Sequence, residues 1–567
     1  MNDPTSRPPE SATRPALVRA VVASLIHASM MTLAFPPFDL WWLILLAPAP
    51  LVVAATAPLR FRWIAIIVFL PMVGTWLVHQ WWVREISAAG LLPMAAYLAA
   101  WSPLLAWAIR RLARSPRFAD WPLALLVPVA WTGIEFLRAT VAMEGYPWYL
   151  LGQPLVEWLP LAQLADIGGV TLLAILPATI GGLAADAFLR RGTTRTRTIA
   201  ALATMAMLVA WIGYGFARIR PIGDGEDGPR ILAMQTNLPQ SNKVAWPPKE
   251  QWESAVGFAE ATITAFRETT AAGGSVDLVA WPETMLPGVG LEPQSTGTMT
   301  EAGWWPGNRF VELAVELQSI LEVPLLVGSP AFDGLRIDGE GEQGRLEWDR
   351  RFNSVYILDE RGPEAAARYD KIFLTPFGER MPYISEWPWL EQQLLDLGAQ
   401  GMSFDLAAGD APERLQFDSL GGDPVSIGTP ICFEDTVPSV CRSLVWDGSS
   451  KIAGVLVNAS NDGWFGSSMG PRSSHLQLAR FRAIENRVPL VRVVNTGTTA
   501  SIDSCGRIRR QCPPLETSWL VASTELDERG TLFALIGQWP SGLLTAACGL
   551  LLLAARGSRP DATSRNP

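Results

Sequence analysis

Long, almost uninterrupted apolar runs fill the first 220 residues of the chain. Each run has about the length that an α-helix needs to cross roughly 30 Å of hydrocarbon. A buried helix of a water-soluble protein is also apolar on all sides, but a series of such runs joined by short loops favours membrane spans. We predict seven spans there and an eighth near the end of the sequence, at about 15–34, 40–57, 63–83, 90–109, 121–139, 166–188, 198–216 and 532–555.

The pattern changes near residue 221, where short apolar strands begin to alternate with amphipathic helices. This alternation is typical of a layered α/β domain. Helices are predicted at 249–270, 308–321 and 473–486. Strands are predicted at 230–238, 276–281, 324–328, 352–358, 424–432, 452–459, 488–495 and 499–508. The sequence thus divides into a membrane domain at 1–220, an α/β domain at 221–530, and a last span with a tail at 531–567.

Two segments have no regular pattern. Residues 145–155 are aromatic and rich in turn formers, and they are either an interfacial anchor or a part of the active site. Residues 384–412, which include Trp387 and Trp389, form a long irregular stretch. A loop of that length in a folded domain is commonly functional, so we expect a lid or a membrane-facing loop.

The net charge of −9 is distributed unevenly along the chain. It is +7 over residues 1–220, −18 over 221–530 and +2 over 531–567, which excludes a basic nucleic-acid-binding surface. Sixteen arginines lie before the first span, after the second, fourth and sixth, or after the last, whereas the alternate short loops carry only Arg84 and Arg138. The positive-inside rule therefore predicts cytoplasmic chain ends and an α/β domain on the opposite side of the membrane.

Cysteine and histidine are scarce, with five and three residues. These numbers argue against a disulfide scaffold and leave a zinc site almost no ligands, so we predict no metal and no cofactor. Cys505 and Cys512 are seven residues apart across a predicted hairpin. They either form a disulfide or are two unrelated thiols.

Three segments of the α/β domain carry candidate chemistry. Glu283 ends the sequence Leu-Val-Ala-Trp-Pro-Glu, Lys371 follows Tyr-Asp, and Cys432 stands at a predicted strand end before Phe-Glu-Asp. Taken singly, each has an ordinary explanation as a solvated carboxylate, a surface charge or a buried apolar thiol. Lys371 is nevertheless one of only four lysines beside 41 arginines, which favours a role that requires a compact ammonium.

Together the three segments suit nucleophilic catalysis. A thiol attacks as the thiolate, so Cys432 needs a base, which Glu283 can supply. The oxyanion formed on attack needs donors already in place, and Lys371 and the backbone N–H after Cys432 can provide them. Glu379 and Glu434 can orient Lys371 or relay protons.

The order Glu, Lys, Cys in Trp-Pro-Glu, Tyr-Asp-Lys and Cys-Phe-Glu contexts resembles the nitrilase superfamily, whose domains are αββα sandwiches. Fused to about eight spans, it is similar to the apolipoprotein N-acyltransferase family. Further segments resemble motifs of that family, at 235–240, 351–354, 375–379, 458–466, 475–480 and 495–497.

The resemblance implies a bacterial inner-membrane enzyme with its catalytic domain on the periplasmic side. Its donor would be a phospholipid, typically phosphatidylethanolamine, and its acceptor the α-amine of an S-diacylglyceryl cysteine in an apolipoprotein. A ping-pong reaction through a thioester would use Glu283 as base, Lys371 as oxyanion stabiliser and Cys432 as nucleophile. The resemblance also implies supporting roles for Glu379, Glu434 and Phe433, and substrate contacts for Trp246, Asn353 and Trp464.

Three other interpretations remain open. A membrane-tethered amidase would keep the same three residues but pass the acyl group to water, and only the large membrane part argues against it. A papain-like hydrolase would need His475, the one histidine of the α/β domain, as its base. A transporter or receptor would place more polar side chains in the spans than Glu135, Asp166 and Asp186.

Overall fold

The computed structural model describes residues 10–238, 247–303, 308–339, 345–387, 389, 393 and 405–556. The chain divides into two units. The first takes in the chain up to Ala217, the short stretch Ser468–Ser474 and the part from Gln538 onward. The second takes in Arg218–Ser467 and His475–Gly537. The predicted boundaries lie at 220 and 530, a few residues from the observed ones after Ala217 and Gly537. The assignment of Ser468–Ser474 to the first unit was not predicted.

Helices make up the first unit. They are α1 Glu10–Leu33, α2 Pro48–Thr56, α3 Phe61–His79, α4 Ala88–Ala113, α5 Leu123–Thr140, α6 Leu159–Ala162, α7 Ala165–Gly168, α8 Ile175–Leu189 and α9 Thr194–Arg218. Six more helices follow, namely α10 Pro248–Ala271, α11 Pro293–Glu301, α12 Arg309–Leu321, α13 Pro438–Val445, α14 Met469–Asn486 and α15 Leu532–Ile536. The last helix, α16 Trp539–Ala554, belongs to the first unit again.

Six helical segments of the described chain are long and apolar enough to cross a membrane. They are Arg14–Leu33, Phe61–His79, Ala88–Ala113, Leu123–Thr140, Val170–Leu189 and Thr194–Arg218. The other two predicted spans coincide with shorter apolar helices, Trp41–Thr56 and Trp539–Ala554. Pro48, which lacks an N–H, restarts the helix within the former, and Gly537, at φ 55°, ends α15 before the latter.

Two six-stranded sheets form the second unit. The first has the order β16-β1-β2-β3-β6-β7 and the second β15-β14-β13-β12-β9-β8. In chain order the strands of the first sheet are β1 Glu226–Gln235, β2 Leu278–Ala280, β3 Leu325–Asp333, β6 Arg350–Leu358, β7 Ala367–Asp370 and β16 Ser518–Leu526. Those of the second are β8 Leu415–Asp418, β9 Pro424–Gly428, β12 Val455–Ser460, β13 Leu490–Val494, β14 Ala500–Ile502 and β15 Ile508–Gln511. The ribbons are β4 Arg336–Asp338 with β5 Arg345–Glu347, and β10 Trp446–Asp447 with β11 Ser450–Lys451.

The layers pack as an αββα sandwich. Helices α10 and α12 cover the outer face of the first sheet, where Phe258 packs against the fully buried Trp281. Strand β1 lies against β13 between the sheets, and α13 packs beside β9 and β12. Strands β1, β2 and β3 run parallel, as do β9, β12 and β13. The predicted architecture, a helical membrane part with an αββα domain, is confirmed.

Two predicted strands differ from the observed ones. The strand expected at 499–508 is the hairpin of β14 and β15, because Gly506 at φ 80° turns the chain between them. The strand expected at 424–432 ends at Gly428, and Cys432 begins a short 3₁₀ turn instead. Cys505 and Cys512 are both free thiols, so the disulfide is absent from the structure.

The aromatic segment 145–155 lies inside the helical unit. Trp148 is only 3% exposed, and its carbonyl accepts hydrogen bonds from the buried Arg138 at 3.0 and 3.1 Å. Glu135, one helical turn earlier on α5, accepts the N–H of Leu151 at 2.8 Å. In this segment, which was expected to be an interfacial anchor or a part of the active site, Trp148 is therefore buried in the helical unit. Most of 384–412 lies outside the described residues.

Candidate active site

The three predicted catalytic residues lie just beyond the ends of strands. Glu283 follows β2 after Trp281-Pro282, Lys371 comes directly after β7, and Cys432 stands a few residues after β9. Residues at the carboxyl ends of strands are free of ladder pairing, so their side chains can converge. All three belong to the second unit.

Asn353 on β6 joins two of the carboxylates. Its amide nitrogen donates to Oε1 of Glu283 at 2.6 Å and to Oε1 of Glu379 at 3.3 Å. Glu283 and Asn353 are 6% and 5% exposed, so these bonds form away from bulk water. A hydrogen bond to a carboxylate is stronger than one between neutral groups, and the amide therefore fixes both carboxylates relative to each other.

Lys371 is buried in an ion pair. Its Nζ donates to Oε2 of Glu379 at 2.5 Å and to Oγ1 of Thr375 at 3.2 Å. Burial by itself would lower the pKa of Lys371, but the charges of Glu379 and Glu283 raise it above its ordinary value. Burial likewise opposes ionisation of Glu379, yet Lys371 holds the pKa of that carboxyl below its usual range. The site therefore contains a permanent ammonium.

Cys432 is half-buried and has a backbone φ of 51°. Such left-handed geometry costs a non-glycine residue about 1–3 kcal/mol and is concentrated at functional sites. Burial raises the pKa of the thiol well above its ordinary value, Glu283 raises it further, and Lys371 opposes the rise. The thiol is thus protonated at rest, so the nucleophilic role predicted for it would require a base that removes this proton.

Glu434 connects the segment after Lys371 with the turn of Cys432. Its carboxylate accepts the N–H groups of Ile372, Phe373 and Ile431 at 2.8, 2.9 and 2.7 Å. The hydroxyl of Tyr369 donates to both oxygens at 3.0 Å. Burial raises the pKa of Glu434 to about 7, although these bonds and Lys371 oppose the rise.

The remaining predicted residues are placed less centrally. Phe433 is buried and stacks on Phe373, with ring centroids 6.2 Å apart. Trp464 lies half-buried in the short turn Asp462–Phe465, and Trp246 lies outside the described residues. Substrate contacts of Trp246, Asn353 and Trp464 stay predictions, and the amide of Asn353 is already bonded to Glu283 and Glu379.

His475 is not placed to activate Cys432. Its Nε2 lies 2.6 Å from Asp435, and its Nδ1 lies 3.0 Å from Asp462 and 3.0 Å from Arg492. Both ring nitrogens are thus engaged in a buried charged network. A base must reach the proton that it removes, so the papain-like interpretation does not fit.

Tyr369 and Asn458 are site residues that the sequence did not reveal as such. Tyr369 bonds Glu434, and the Asn458 amide donates to the carbonyls of Pro430 and Cys432. Tyr369 stands directly before Asp370 and Lys371, and Asn458 opens the segment 458–466 that resembles a family motif. A usable signal existed for Asn458, because an amide in the apolar strand Val455–Ser460 must have buried partners. Within the described chain, no group of three or more His, Cys, Asp or Glu is arranged to hold a metal ion.

Comparisons with known families match two separate parts of the chain. Residues 27–183 match the family described as apolipoprotein N-acyltransferase N-terminal domain. Residues 233–555 match the carbon-nitrogen hydrolase family.

Curated relatives match over most of the chain. The apolipoprotein N-acyltransferase of Geobacter metallireducens is 32% identical, and the match covers 79% of this chain and 76% of the relative. That of Vibrio parahaemolyticus is 28% identical over 92% of this chain and 94% of the relative. Among solved structures, an amidase from Nesterenkonia sp. AN1 in complex with acrylamide is 15% identical with a TM-score of 0.33, covering 55% of this chain and 94% of that one. The chain therefore belongs to the apolipoprotein N-acyltransferase family, with a carbon-nitrogen hydrolase domain joined to a helical membrane part.

Proposed function

We propose that the protein transfers an acyl chain from a membrane phospholipid to the N-terminal amine of S-diacylglyceryl cysteine in apolipoproteins. The proposed donor is typically phosphatidylethanolamine. The observation that carries this proposal is the buried Lys371–Glu379 ion pair beside Cys432 and Glu283. Such a set stabilises a tetrahedral oxyanion and supplies a base for a thiol nucleophile. Homology supports the choice of donor and acceptor classes.

In the first half-reaction, Glu283 takes the proton of the Cys432 thiol while the sulfur attacks the ester carbonyl carbon of the phospholipid. The carbonyl oxygen becomes an oxyanion, which Lys371 and the N–H of Phe433 stabilise. The intermediate collapses by breaking the ester C–O bond. The leaving oxygen takes the proton back from Glu283, giving a lysophospholipid and a thioester on Cys432.

In the second half-reaction, the α-amine of the lipoprotein cysteine attacks the thioester carbonyl. Glu283 accepts a proton from the amine, and the C–S bond breaks as the amide forms. The thiolate of Cys432 then recovers a proton from Glu283. Because the raised pKa of Cys432 favours the thiol, the resting enzyme returns to its protonated state.

The two substrates are membrane-bound, which agrees with the apolar helices of the first unit. The arginine distribution supports cytoplasmic chain ends, and so a periplasmic catalytic domain at the inner membrane. Within the second unit, Tyr383, Trp387 and Trp389 are all more than half exposed. Exposed aromatic side chains suit a lipid interface, which supports the expectation of a membrane-facing loop.

The proposal is tested with purified protein, phosphatidylethanolamine and a synthetic S-diacylglyceryl cysteine peptide. Wild-type protein is expected to add one acyl chain to the peptide amine, and Cys432→Ser to lose this activity by roughly 10³-fold or more. Cys441→Ser is the matched control, since Cys441 is a fully buried thiol nine residues away. Acylated peptide formed by Cys432→Ser would refute the mechanism. Free fatty acid formed in place of acylated peptide would favour the tethered amidase instead.

A further inference from the structure

Asn458 lies in the interior strand β12, and its side chain reaches the turn that carries Cys432. Its Nδ2 donates to the carbonyl of Pro430 at 3.0 Å and to the carbonyl of Cys432 at 3.3 Å. The residue is fully buried. One amide thus holds two peptide units of the nucleophile turn.

A buried arginine determines which way this amide faces. Nε of Arg492 donates to Oδ1 of Asn458 at 3.2 Å. The guanidinium has only donors, so it binds the amide oxygen and leaves the amide nitrogen directed at the carbonyls. Arg492 is itself held by Asp435 and Asp462, whose oxygens lie 3.3 and 3.4 Å from its nitrogens.

The peptide between Pro430 and Ile431 is bonded at both of its polar groups. Asn458 binds its carbonyl, and Glu434 accepts its N–H at 2.7 Å. The peptide between Cys432 and Phe433 is bonded by Asn458 at its carbonyl. Because a peptide unit is planar, fixing that carbonyl also fixes the direction of the N–H of Phe433.

We propose that Asn458 is a positioning residue, which orients the Cys432–Phe433 peptide so that its N–H stabilises the oxyanion. This inference rests on the proposed function, in which that N–H is one of the oxyanion donors. A hydrogen bond accepted by a peptide carbonyl also polarises the peptide and strengthens its N–H as a donor. The residue therefore acts on the rate of acyl transfer without touching the substrate.

Two reactions of Cys432 separate this role from a general structural one. Acylation by phosphatidylethanolamine in detergent micelles passes through an oxyanion and expels a lysophospholipid. Alkylation by iodoacetamide forms a sulfur–carbon bond, releases iodide and the thiol proton, and forms no oxyanion. Asn458→Asp and Asn458→Leu both remove the donor. We expect them to slow acylation roughly 10- to 10³-fold while alkylation changes by less than about 3-fold.

Asn486→Asp is the matched control. Asn486 is also fully buried and donates to one backbone carbonyl, that of Arg482 at 2.9 Å within α14. It is expected to leave both rates near those of the wild type. Thermal melting of each variant is recorded, and Asn458→Leu gives the same comparison if the aspartate variant does not fold.

Unchanged acylation in the Asn458 variants would overturn the inference. Equal losses in acylation and alkylation would also overturn it, since Asn458 would then act on the thiol or on the whole fold. Absence of any acyl adduct in wild-type protein would instead contradict the proposed function, so the two failures are distinguishable.

Discussion

The amide nitrogen of Asn353 lies 2.6 Å from Oε1 of Glu283, and the same amide reaches Glu379, the partner of Lys371. One side chain on β6 therefore connects the proposed base with the proposed oxyanion stabiliser. The relation matters because a base contributes only while it points at the proton it removes.

Replacing Asn353 by leucine should remove the hydrogen bond that orients Glu283, the proposed base. We expect the rate of Cys432 acylation to fall roughly 10- to 100-fold, because Glu283 loses a charge-assisted hydrogen bond that orients it. Stopped-flow mixing with phosphatidylethanolamine micelles and mass detection of the adduct measure this rate. Ser354→Ala is the control, since Ser354 adjoins it on β6 and bonds Asp370 instead. Equal losses in the two variants would contradict the role of Asn353.

The pH dependence of the acylation rate should follow the ionisation of the Glu434 carboxyl group. Its carboxylate accepts hydrogen bonds from four donor groups, and protonation would convert one acceptor oxygen into a donor. With a pKa of about 7, Glu434 is ionised above that pH and protonated below it, so activity should fall as the pH drops through about 7. The profile is measured from the initial rates of acylation at constant ionic strength.

Two variants assign this acidic limb. Glu434→Gln should be slower and should lose the limb near pH 7, because glutamine does not titrate. Tyr369→Phe removes a bond that lowers the pKa of Glu434, so the limb should move to higher pH. A limb that stays in place in both variants would assign it to another group.

His475 should make stability depend on pH. Burial and Arg492 lower the pKa of His475, but Asp435 and Asp462 raise it more, leaving it above its ordinary value. A raised pKa means that the imidazolium stabilises the fold fully below about pH 6.5, and that this gain is lost as the pH rises through the folded value.

The variant His475→Gln should therefore melt below the wild type by roughly 2–8 °C at about pH 6. The gap between them should narrow as the pH rises from there through the raised pKa of the folded histidine, where the imidazolium loses its charge. Melting in detergent, followed by the fluorescence of the tryptophans, measures both values. A gap that is constant over this range would mean that the histidine is neutral in the fold.

The membrane helices provide a separate test. Arg110 on α4 donates to the carbonyls of Ala55, Ala57 and Leu59, at 2.9, 2.7 and 2.5 Å. A guanidinium can bind several carbonyls at once, whereas an ammonium is a single point. Arg110→Lys should lower the melting temperature, by roughly 2–4 °C for each kcal/mol by which the free energy of unfolding decreases. The neighbouring Arg111→Lys should leave the melting temperature unchanged. Equal decreases in melting temperature in the two variants would mean that Arg110, like Arg111, contributes only its positive charge.

The most informative features of the sequence were long apolar runs and the order of three motifs along the chain. Apolar runs of span length identified the helical unit, because burial in lipid requires them over every turn. The order of Glu283, Lys371 and Cys432 indicated the site, since strand ends deliver side chains to one place. The differences were local, because Pro48 and Gly537 interrupt helices within apolar runs that look continuous from composition alone.

The supporting residues could not be found from spacing. The bonds of Asn353 to Glu283 and of Asn458 to Cys432 join positions 70 and 26 residues apart. Such pairs depend on the register of β6 beside β3 and of β12 beside β9, which a single sequence does not determine. The burial of Trp148 depends in the same way on helix packing around Arg138.

The mass of the protein after incubation with phosphatidylethanolamine alone tests the central claim most directly. The account predicts that wild-type protein gains one acyl chain on Cys432, that hydroxylamine removes it, and that Cys432→Ser gains none. An unmodified wild-type protein, or an acyl adduct that persists in Cys432→Ser, would contradict the account.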